Sequence, residues 1–338
     1  MLIKFKRTKL PLVLIIFVTL LFTGCGQVKS DEGGKAKTVA LKKVTVMLDW
    51  TPNTNHTGLY VAKAKGFYKE QGLAVEIIQP GPGTTADQLV ASGKADFGVG
   101  YQEGVTLARA SGIPLVSIAA VIQHNTSAFA SLKAANIISV QDFEGKRYGG
   151  WGSPIEEAVL KAVMANAGAN YAKTKNITLG ATDFFKSIGR DADFEWIFYG
   201  WDAIEAKRRG IALNLIAVRD LDPALDYYTP VIVTNEKHVA GQKELVTKFM
   251  QATAKGYQLA ISNPSEAADI LLKNAPELNP ELVKASQAWL SPKYQDDAGR
   301  WGEQKQEVWQ RYAGWLYERK LIPQMVDPQK AFTNEFLP

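Results

Sequence analysis

The order of strand-like and helix-like segments is the feature that most limits the fold of this chain. Short apolar, β-branched runs alternate with longer segments of helical periodicity over residues 43–123, and a second alternating set covers residues 145–220. From about residue 242 the alternation stops, and helical patterns follow one another to the end of the chain. Strands that alternate with helices predict mostly parallel sheets with helices on both faces. We therefore expect an α/β protein with two sheets.

This order resembles the type II periplasmic binding protein fold, in which two α/β lobes are joined by a hinge that the chain crosses twice. The prediction places the first lobe at residues 42–130 plus 233–338 and the second lobe at residues 131–232. The two crossings are expected near 127–133 and 229–235. Ligands of open α/β sheets sit beyond the carboxyl ends of the strands, so the loops at those ends are the candidate site.

The N-terminal residues are typical of a secretory signal. A basic start is followed by an apolar stretch too short for a comfortable membrane span, which ends at Gly24 and Cys25. Cys25 is the only cysteine, and Gly24 before it resembles a bacterial lipoprotein cleavage box, although Phe22 stands where leucine is usual. We expect a signal peptide at 1–24 and a lipid-anchored tether at 25–41, on the extracytoplasmic face of the cell membrane. An ordinary cleaved signal and an uncleaved membrane helix remain alternatives.

The charge of the chain argues against nucleic acid as a partner. The formal net charge is +5, and residues 1–24 hold four of the 39 basic residues and no acidic residue. Removal of that segment would leave a net charge of about +1 and no basic stripe on the folded body.

Aromatic, acidic and amide side chains follow the predicted strands. Those loops contain no lysine or arginine, which an anionic ligand would normally require. Two aromatic faces can enclose a planar ring, and a carboxylate accepts the N–H of an aminopyrimidine. The predicted ligand-binding residues are Asp49, Trp50, Asn55, His56, Tyr60, Tyr101, Glu103, Trp151, Ser153, Tyr199, Trp201 and Glu205.

Several of these residues have a structural alternative. Trp50 and Tyr60 can pack under the first helix, and Glu205 can pair with the basic residues at 207–209. Asp49 can cap a turn, and His56 can make a local hydrogen bond in the first turn of the helix. Asn55 is expected to be the N-cap of the first helix, and Ser153 begins an S-P-I-E capping box. His56 has no second histidine or cysteine near it in the sequence, so we expect no metal site and no cofactor.

Three segments resemble one known family. "LDWTPNTNHTGLYVAKAKGFYKEQGL", "DQLVASGKADFGVG" and "FEGKRYGGWGSP" are similar to the family that joins bacterial binding proteins for thiamine pyrimidine precursors with fungal pyrimidine-synthesis enzymes. The shared pattern is an acidic or amide residue, tryptophan, proline and a histidine six positions after the tryptophan. Here these residues are Asp49, Trp50, Pro52 and His56.

The resemblance implies a receptor rather than a catalyst. Such a receptor would bind an aminopyrimidine, for example N-formyl-4-amino-5-aminomethyl-2-methylpyrimidine, and pass it to the permease and ATPase subunits of an ABC importer for thiamine salvage. We expect a monomer. A cationic amine or an alkylsulfonate is the alternative cargo. The synthases of the family carry a cysteine-rich iron site near the second crossing, whereas this chain reads "YYTPVIVTN" there, so we expect no enzyme.

Overall fold

A computed structural model describes residues 40–338 apart from residues 82 and 181. The strands in this part of the chain are β1 (Lys42–Met47), β2 (Leu73–Ile78), β3 (Phe97–Gly100), β4 (Leu115–Ala120), β5 (Ser127–Leu132), β6 (Arg147–Gly150), β7 (Lys175–Thr178), β8 (Phe194–Phe198), β9 (Leu213–Ala217) and β10 (Val231–Asn235). The helices are α1 (Thr57–Ala64), α2 (Phe67–Glu70), α3 (Ala86–Ala91), α4 (Gln102–Ala110), α5 (Pro154–Asn166), α6 (Phe184–Ser187), α7 (Ile204–Arg208), α8 (Glu236–Gly241), α9 (Lys243–Ser262), α10 (Pro264–Asn274), α11 (Pro280–Leu290), α12 (Gln306–Glu318) and α13 (Pro328–Ala331).

The strands form two five-stranded sheets. The first sheet has the order β2-β1-β3-β10-β4 and the second has the order β7-β6-β8-β5-β9. In each sheet one strand is antiparallel to its neighbours: β10 in the first and β5 in the second. The remaining pairings, such as β1 with β2 and β6 with β8, are parallel. The predicted α/β architecture with two sheets is confirmed, but both sheets are mixed, because half of the strand pairings in each are antiparallel.

The chain passes between the sheets twice, and polar contacts join the two passages. The first passage lies between β4 and β5, and the second lies between β9 and β10. Asp226 of the second passage accepts hydrogen bonds from the Asn125 amide at 3.0 Å and contacts His124 Nδ1 at 2.7 Å. The segments predicted as crossings are the strands β5 and β10 that directly follow these passages. The lobe boundaries and the hinge stay predictions.

The core of the first sheet is closed by the long C-terminal helix α9, which packs against α1. This contact requires two glycines, because a Cβ on Gly256 would lie 2.0 Å from the Gly58 carbonyl oxygen and a Cβ on Gly58 would lie 2.3 Å from the Tyr257 ring. On the same side, Phe249 stacks on Phe97 with ring centroids 3.8 Å apart. The close approach brings the C-terminal helices up to the loop that follows β1, where candidate site residues lie.

The second sheet has an aromatic core of its own. Phe143 stacks on Phe194 at 4.1 Å, and Phe129 of β5 meets Phe143 edge-on at 5.3 Å. Within residues 40–338, the helices are too short or too polar to cross a membrane. The predicted signal peptide and Cys25 lie outside the described residues.

Candidate functional site

The loop after β1 holds a buried carboxylate between two donors. Asp49 Oδ1 lies 2.5 Å from His56 Nε2, and Asp49 Oδ2 accepts a hydrogen bond from the Tyr101 hydroxyl at 2.6 Å. The side chain of His56 is fully buried, and that of Asp49 is 6% exposed. Tyr101 directly follows β3, the neighbour of β1 in the sheet. The predicted cluster of Asp49, His56 and Tyr101 at the strand ends is therefore a direct contact.

The backbone fixes which ring nitrogen of His56 faces Asp49 as a donor. The Asn53 amide donates a hydrogen bond to His56 Nδ1 at 3.2 Å, so this nitrogen acts as an acceptor and the proton lies on Nε2. The Asn53 side chain in turn accepts from the Asn55 amide at 2.9 Å. Asn53 is thus the cap of the short helical turn Thr54–His56, and the prediction that Asn55 caps the first helix is wrong. Asn55 instead donates its backbone N–H to the Asn53 side chain.

Asp49 is held in its ionised form. Burial opposes ionisation of the carboxyl, but its interactions with His56 and the hydrogen bond from Tyr101 outweigh burial and lower its pKa. The same contact, together with burial, raises the pKa of the Tyr101 hydroxyl well above its usual value, which keeps Tyr101 a donor. Asp49 therefore carries a negative charge that its two partners orient.

Two further carboxyl groups lie close to Asp49 and behave in the opposite way. Burial, with repulsion from Asp49, raises the pKa of Asp87 to about 7. Burial, with repulsion from Asp87, raises the pKa of Glu103 to about 8. Asp87 Oδ1 and Glu103 Oε2 are buried and have no hydrogen-bond partner among the described residues. The site thus combines one ionised carboxylate with two carboxyl groups that lose their protons at a much higher pH than free carboxyl groups do.

Asp87 is a residue that the sequence reasoning missed. A Cβ on Gly100 would lie 2.4 Å from Asp87 Oδ1, and a Cβ on Gly104 would lie 2.3 Å from Asp87 Oδ2. Only glycine at these positions lets the carboxyl group lie against the end of β3 and the start of α4. The spacing of the glycines in "FGVGYQEG" was the available signal, but an aspartate in the first turn of a helix has a commoner reason to be there.

The C-terminal helices anchor the loop that carries His56. The Tyr257 hydroxyl donates to the Asn55 carbonyl at 2.7 Å, and the Tyr294 hydroxyl donates to the Thr54 carbonyl at 2.5 Å. The Tyr257 ring also stacks on Trp301 at 4.2 Å. These contacts satisfy the backbone of a buried turn and fix the position of its histidine.

Two predicted aromatic residues are open to solvent. Trp50 is 39% exposed and Trp151 is 41% exposed, although both are large apolar side chains. Trp50 comes shortly after β1 in the first sheet, and Trp151 directly follows β6 in the second. Trp151 also contacts Trp196 at a ring distance of 5.4 Å. Each sheet therefore offers one accessible aromatic surface at a strand end.

Glu156 fixes the loop after β6, which carries Trp151 and Ser153, by accepting hydrogen bonds from it. Ser153 is the N-cap of α5, and the predicted S-P-I-E capping box is confirmed. Glu156 also accepts hydrogen bonds from the Tyr148 hydroxyl at 2.6 Å and the Gly152 amide at 3.0 Å. Burial raises the pKa of Glu156, and these donors reduce the rise. Ser153 and Trp151 are thus held by a fixed turn, and their contact with a ligand stays a prediction.

The other predicted residues take part in protein contacts. Tyr199 stacks on Trp289 of α11 at 4.7 Å, and Trp201 packs against the core of the first sheet. Glu205 is paired with Arg208 of its own helix at 2.7 Å and with Arg209, which directly follows the helix, at 2.5 Å. This pairing is the alternative that the sequence left open. Tyr60 is 7% exposed and belongs to the core of the first sheet. For these four residues a ligand contact stays a prediction.

The partners of Asp49 indicate which ligands the loop after β1 can bind. The side-chain partners of Asp49 within the described residues are a histidine and a tyrosine rather than lysine or arginine. Residues 40–338, apart from 82 and 181, contain no cluster of three histidine, cysteine or acidic residues placed to hold a metal ion. The chemistry available is recognition of N–H donors and flat rings.

Comparison with known proteins identifies the family. The family model described as NMT1/THI5 like matches residues 53–267. The chain belongs to the NMT1/THI5-like family. The formylaminopyrimidine-binding protein of Halalkalibacterium halodurans is 30% identical, over 95% of this chain and 98% of that protein. The riboflavin-binding protein RibY of Chloroflexus aurantiacus is 26% identical, over 97% of each chain.

Members of the NMT1/THI5-like family also include proteins named as enzymes. The 4-amino-5-hydroxymethyl-2-methylpyrimidine phosphate synthase of Legionella pneumophila is 26% identical, over 88% of this chain and 92% of that protein. Among solved structures, the alkanesulfonate-binding protein SsuA from Xanthomonas axonopodis pv. citri superposes with a TM-score of 0.66 at 15% identity, over 86% of this chain and 98% of that chain. This likeness confirms the periplasmic binding protein fold.

The raised pKa of Glu103 predicts a pH-dependent contribution to stability. The ordinary pKa of glutamate is 4.5, and burial raises it to about 8 in the folded chain. The folded state then binds the proton more tightly than the unfolded state, so stability is lost as the pH rises from about 5 to about 8. Glu103→Gln removes this loss. Denaturant unfolding at both pH values should show the variant gaining stability relative to wild type at the higher pH.

Glu76→Gln is the matched control for this measurement. Glu76 lies on β2 with an exposed side chain, so its substitution should leave the pH dependence as it is in wild type. An equal pH dependence in wild type and Glu103→Gln would show that Glu103 is not a buried, proton-holding group.

Proposed function

We propose that this chain is the substrate-binding receptor of an ABC importer and that its ligand is a thiamine pyrimidine precursor such as formylaminopyrimidine. The observation that carries the proposal is the ionised Asp49 carboxylate, held by His56 and Tyr101, in the same loop as the exposed ring of Trp50. A charged acceptor and an open aromatic face on one loop suit a flat ring that bears an amino group.

Each part of the loop has a role in this proposal. Trp50 supplies a stacking surface for the pyrimidine ring. Each carboxylate oxygen of Asp49 has a second lone pair beyond the one used by His56 or Tyr101, which leaves room to accept an exocyclic N–H. Trp151, at a strand end of the second sheet, would cover the other face of the ring. Ligand contacts from both lobes would favour their closure around the hinge.

The whole-length match to a binding protein supports a receptor rather than a synthase. The alignment with the formylaminopyrimidine-binding protein covers nearly all of both chains, so that the two proteins share both predicted lobes. The proteins of this family that are named as synthases match at lower identity. A receptor also agrees with the solved binding proteins of the same fold, such as the alkanesulfonate-binding protein.

A flavin is the second candidate ligand. The similarity to the riboflavin-binding protein extends over 97% of each chain, and two exposed tryptophans suit a larger ring system equally well. The polar edge of the flavin ring has one N–H group between two carbonyl acceptors, and an ionised carboxylate that accepts from this N–H is repelled by the carbonyl oxygens. Asp49 therefore favours the aminopyrimidine.

Titration calorimetry with the mature chain carrying Cys25→Ser tests the ligand. We expect tight binding of formylaminopyrimidine and weaker or no binding of riboflavin, thiamine, taurine and spermidine. Tight binding of riboflavin alone would establish the second candidate. Binding of taurine without binding of the pyrimidine would reject the assignment, because a sulfonate needs donors that this loop does not present.

Trp50→Ala tests the stacking surface. Loss of the ring should weaken binding of formylaminopyrimidine by about 1 kcal/mol or more, which is at least roughly fivefold in Kd. Tyr317→Ala is the control, since Tyr317 is a 48% exposed aromatic residue on α12. Equal affinity of the Trp50 variant and wild type in calorimetry would remove Trp50 from the site.

Localisation at the extracytoplasmic face of the membrane belongs to the same proposal. Cys25→Ser removes the thiol that a lipid anchor would use, so the variant should move from the membrane fraction into the soluble fraction or the medium. Fractionation followed by immunoblotting measures this. Retention of the variant in the membrane fraction would contradict a lipid anchor at Cys25.

A further inference from the structure

A buried serine of helix α11 contacts the candidate loops of both sheets. Ser286 is fully buried, and its Oγ lies 2.6 Å from Thr54 Oγ1 in the loop after β1. The same Oγ is hydrogen-bonded to the Gly200 carbonyl in the π-type turn Tyr199–Ala203, which follows β8 of the second sheet. One hydroxyl group therefore joins the turn that carries His56 to the loop of the second sheet.

The proton order in this contact is fixed. A carbonyl oxygen only accepts, so Ser286 donates its single proton to Gly200. Thr54 must then donate its hydroxyl proton to Ser286 Oγ. The result is a directed chain of two hydrogen bonds, from Thr54 through Ser286 to Gly200. A buried hydroxyl group that loses its hydrogen-bond partner costs free energy. The two hydrogen bonds therefore resist displacement of either loop.

The turn after β8 lies directly against α11. A Cβ on Gly200 would lie 3.1 Å from the Trp289 ring and 3.4 Å from Leu290 Cδ1, so only glycine fits without displacement. The neighbouring Tyr199 stacks on Trp289 at 4.7 Å. At the surface, Arg208 Nη1 pairs with Glu281 at 3.2 Å. The hydroxyl chain is thus one part of a packed contact between α11 and the second sheet.

We infer that Ser286 is a positioning residue, which holds the His56–Asp49 pair in a set relation to the loop after β8. Thr54 is the first residue of the turn that ends at His56, and its carbonyl is already fixed by Tyr294. Removal of the Ser286 contact frees the side chain of Thr54 and loosens the turn. Only the consequence for ligand binding rests on the proposed function. The positioning of His56 does not.

Imidazole ¹⁵N NMR of the ligand-free mature chain with Cys25→Ser tests this inference. The chain has three histidines, so the signals of His56 are readily assigned. In Ser286→Ala and in Thr54→Val, the His56 Nε2–H should shift, and its exchange with solvent should become about tenfold faster, because both variants lose the buried hydrogen bond between Thr54 and Ser286. Thr54→Ser keeps the donor and should restore the wild-type signal.

Ser117→Ala is the matched control. Ser117 is also buried, and its hydroxyl donates to Gln304 Oε1 at 2.7 Å, but neither candidate loop is among its side-chain partners in the described part of the chain. Its His56 signal should equal that of wild type. Unchanged signals in both Thr54→Val and Ser286→Ala, or equal changes in the control, would overturn the inference. If Ser286→Ala does not fold, the difference between the His56 signals of Thr54→Val and Thr54→Ser decides whether the hydroxyl contact positions the turn.

A measurement of ligand dissociation distinguishes this inference from the proposed function. With formylaminopyrimidine bound, dissociation should become faster in Ser286→Ala and stay unchanged in Ser117→Ala. If wild type does not bind the pyrimidine, the proposed function fails, and the His56 signals still decide whether Ser286 positions the turn.

Discussion

The buried charge of Asp49 is the constraint on which the architecture of this site depends. An ionised carboxylate with a 6% exposed side chain is stable only when donors replace the water that it has lost. His56 and Tyr101 supply those donors, and each must be held within hydrogen-bond distance. His56 sits in a short turn with little stability of its own, so the C-terminal helices anchor it through Tyr257, Tyr294 and Ser286. Residues more than 200 positions away in the sequence thus hold His56 in place, and His56 in turn stabilises the ionised Asp49 carboxylate.

Repulsion among neighbouring acids sets the charge of the site. Three carboxyl groups that were all ionised would repel one another strongly at short range in a buried setting. Asp49 has the best donors and keeps its charge, whereas the pKa values of Asp87 and Glu103 rise to about 7 and 8. The site is therefore less negative than a count of its acids suggests. Protonated carboxyl groups can also donate, which widens the range of edges that a nitrogen heterocycle can present to them.

The sequence predicted those features that depend on neighbouring residues. Alternating strand and helix patterns gave the α/β class, and the S-P-I-E capping box at Ser153 was found because its partners lie three residues apart. Asp49, His56 and Tyr101 were predicted to lie at one edge of the sheet, because the carboxyl ends of adjacent parallel strands meet there, and in the structure they contact one another. The antiparallel strands β5 and β10 were assigned as crossings, since an apolar run carries no mark of its direction.

Residues whose role depends on distant contacts were not predictable in this way. Asp87 matters because Gly100 and Gly104 leave space for its carboxyl group, and Ser286 matters because it meets Thr54 across 232 positions. The sequence predicted Asn55 as the cap, whereas the structure shows Asn53 in that role. Both asparagines precede the same helix, and only the backbone dihedral angles distinguish them. Sequence spacing fixes local geometry well, but it does not specify which surfaces meet.

The contacts of α11 also bear on how such a protein would close. The stacking of Tyr199 on Trp289 and the hydrogen bond from Ser286 to Gly200 involve protein atoms alone, so they favour the approach of the two loops independently of any ligand. A ligand shifts a conformational equilibrium only by its differential affinity for the two states. Where protein contacts already stabilise the approach, less of the ligand's binding free energy is spent on closure, and more of it appears as affinity. If the ligand is a small ring with few polar groups, as proposed, its tight binding would be favoured because the protein itself supplies part of the interface between the predicted lobes.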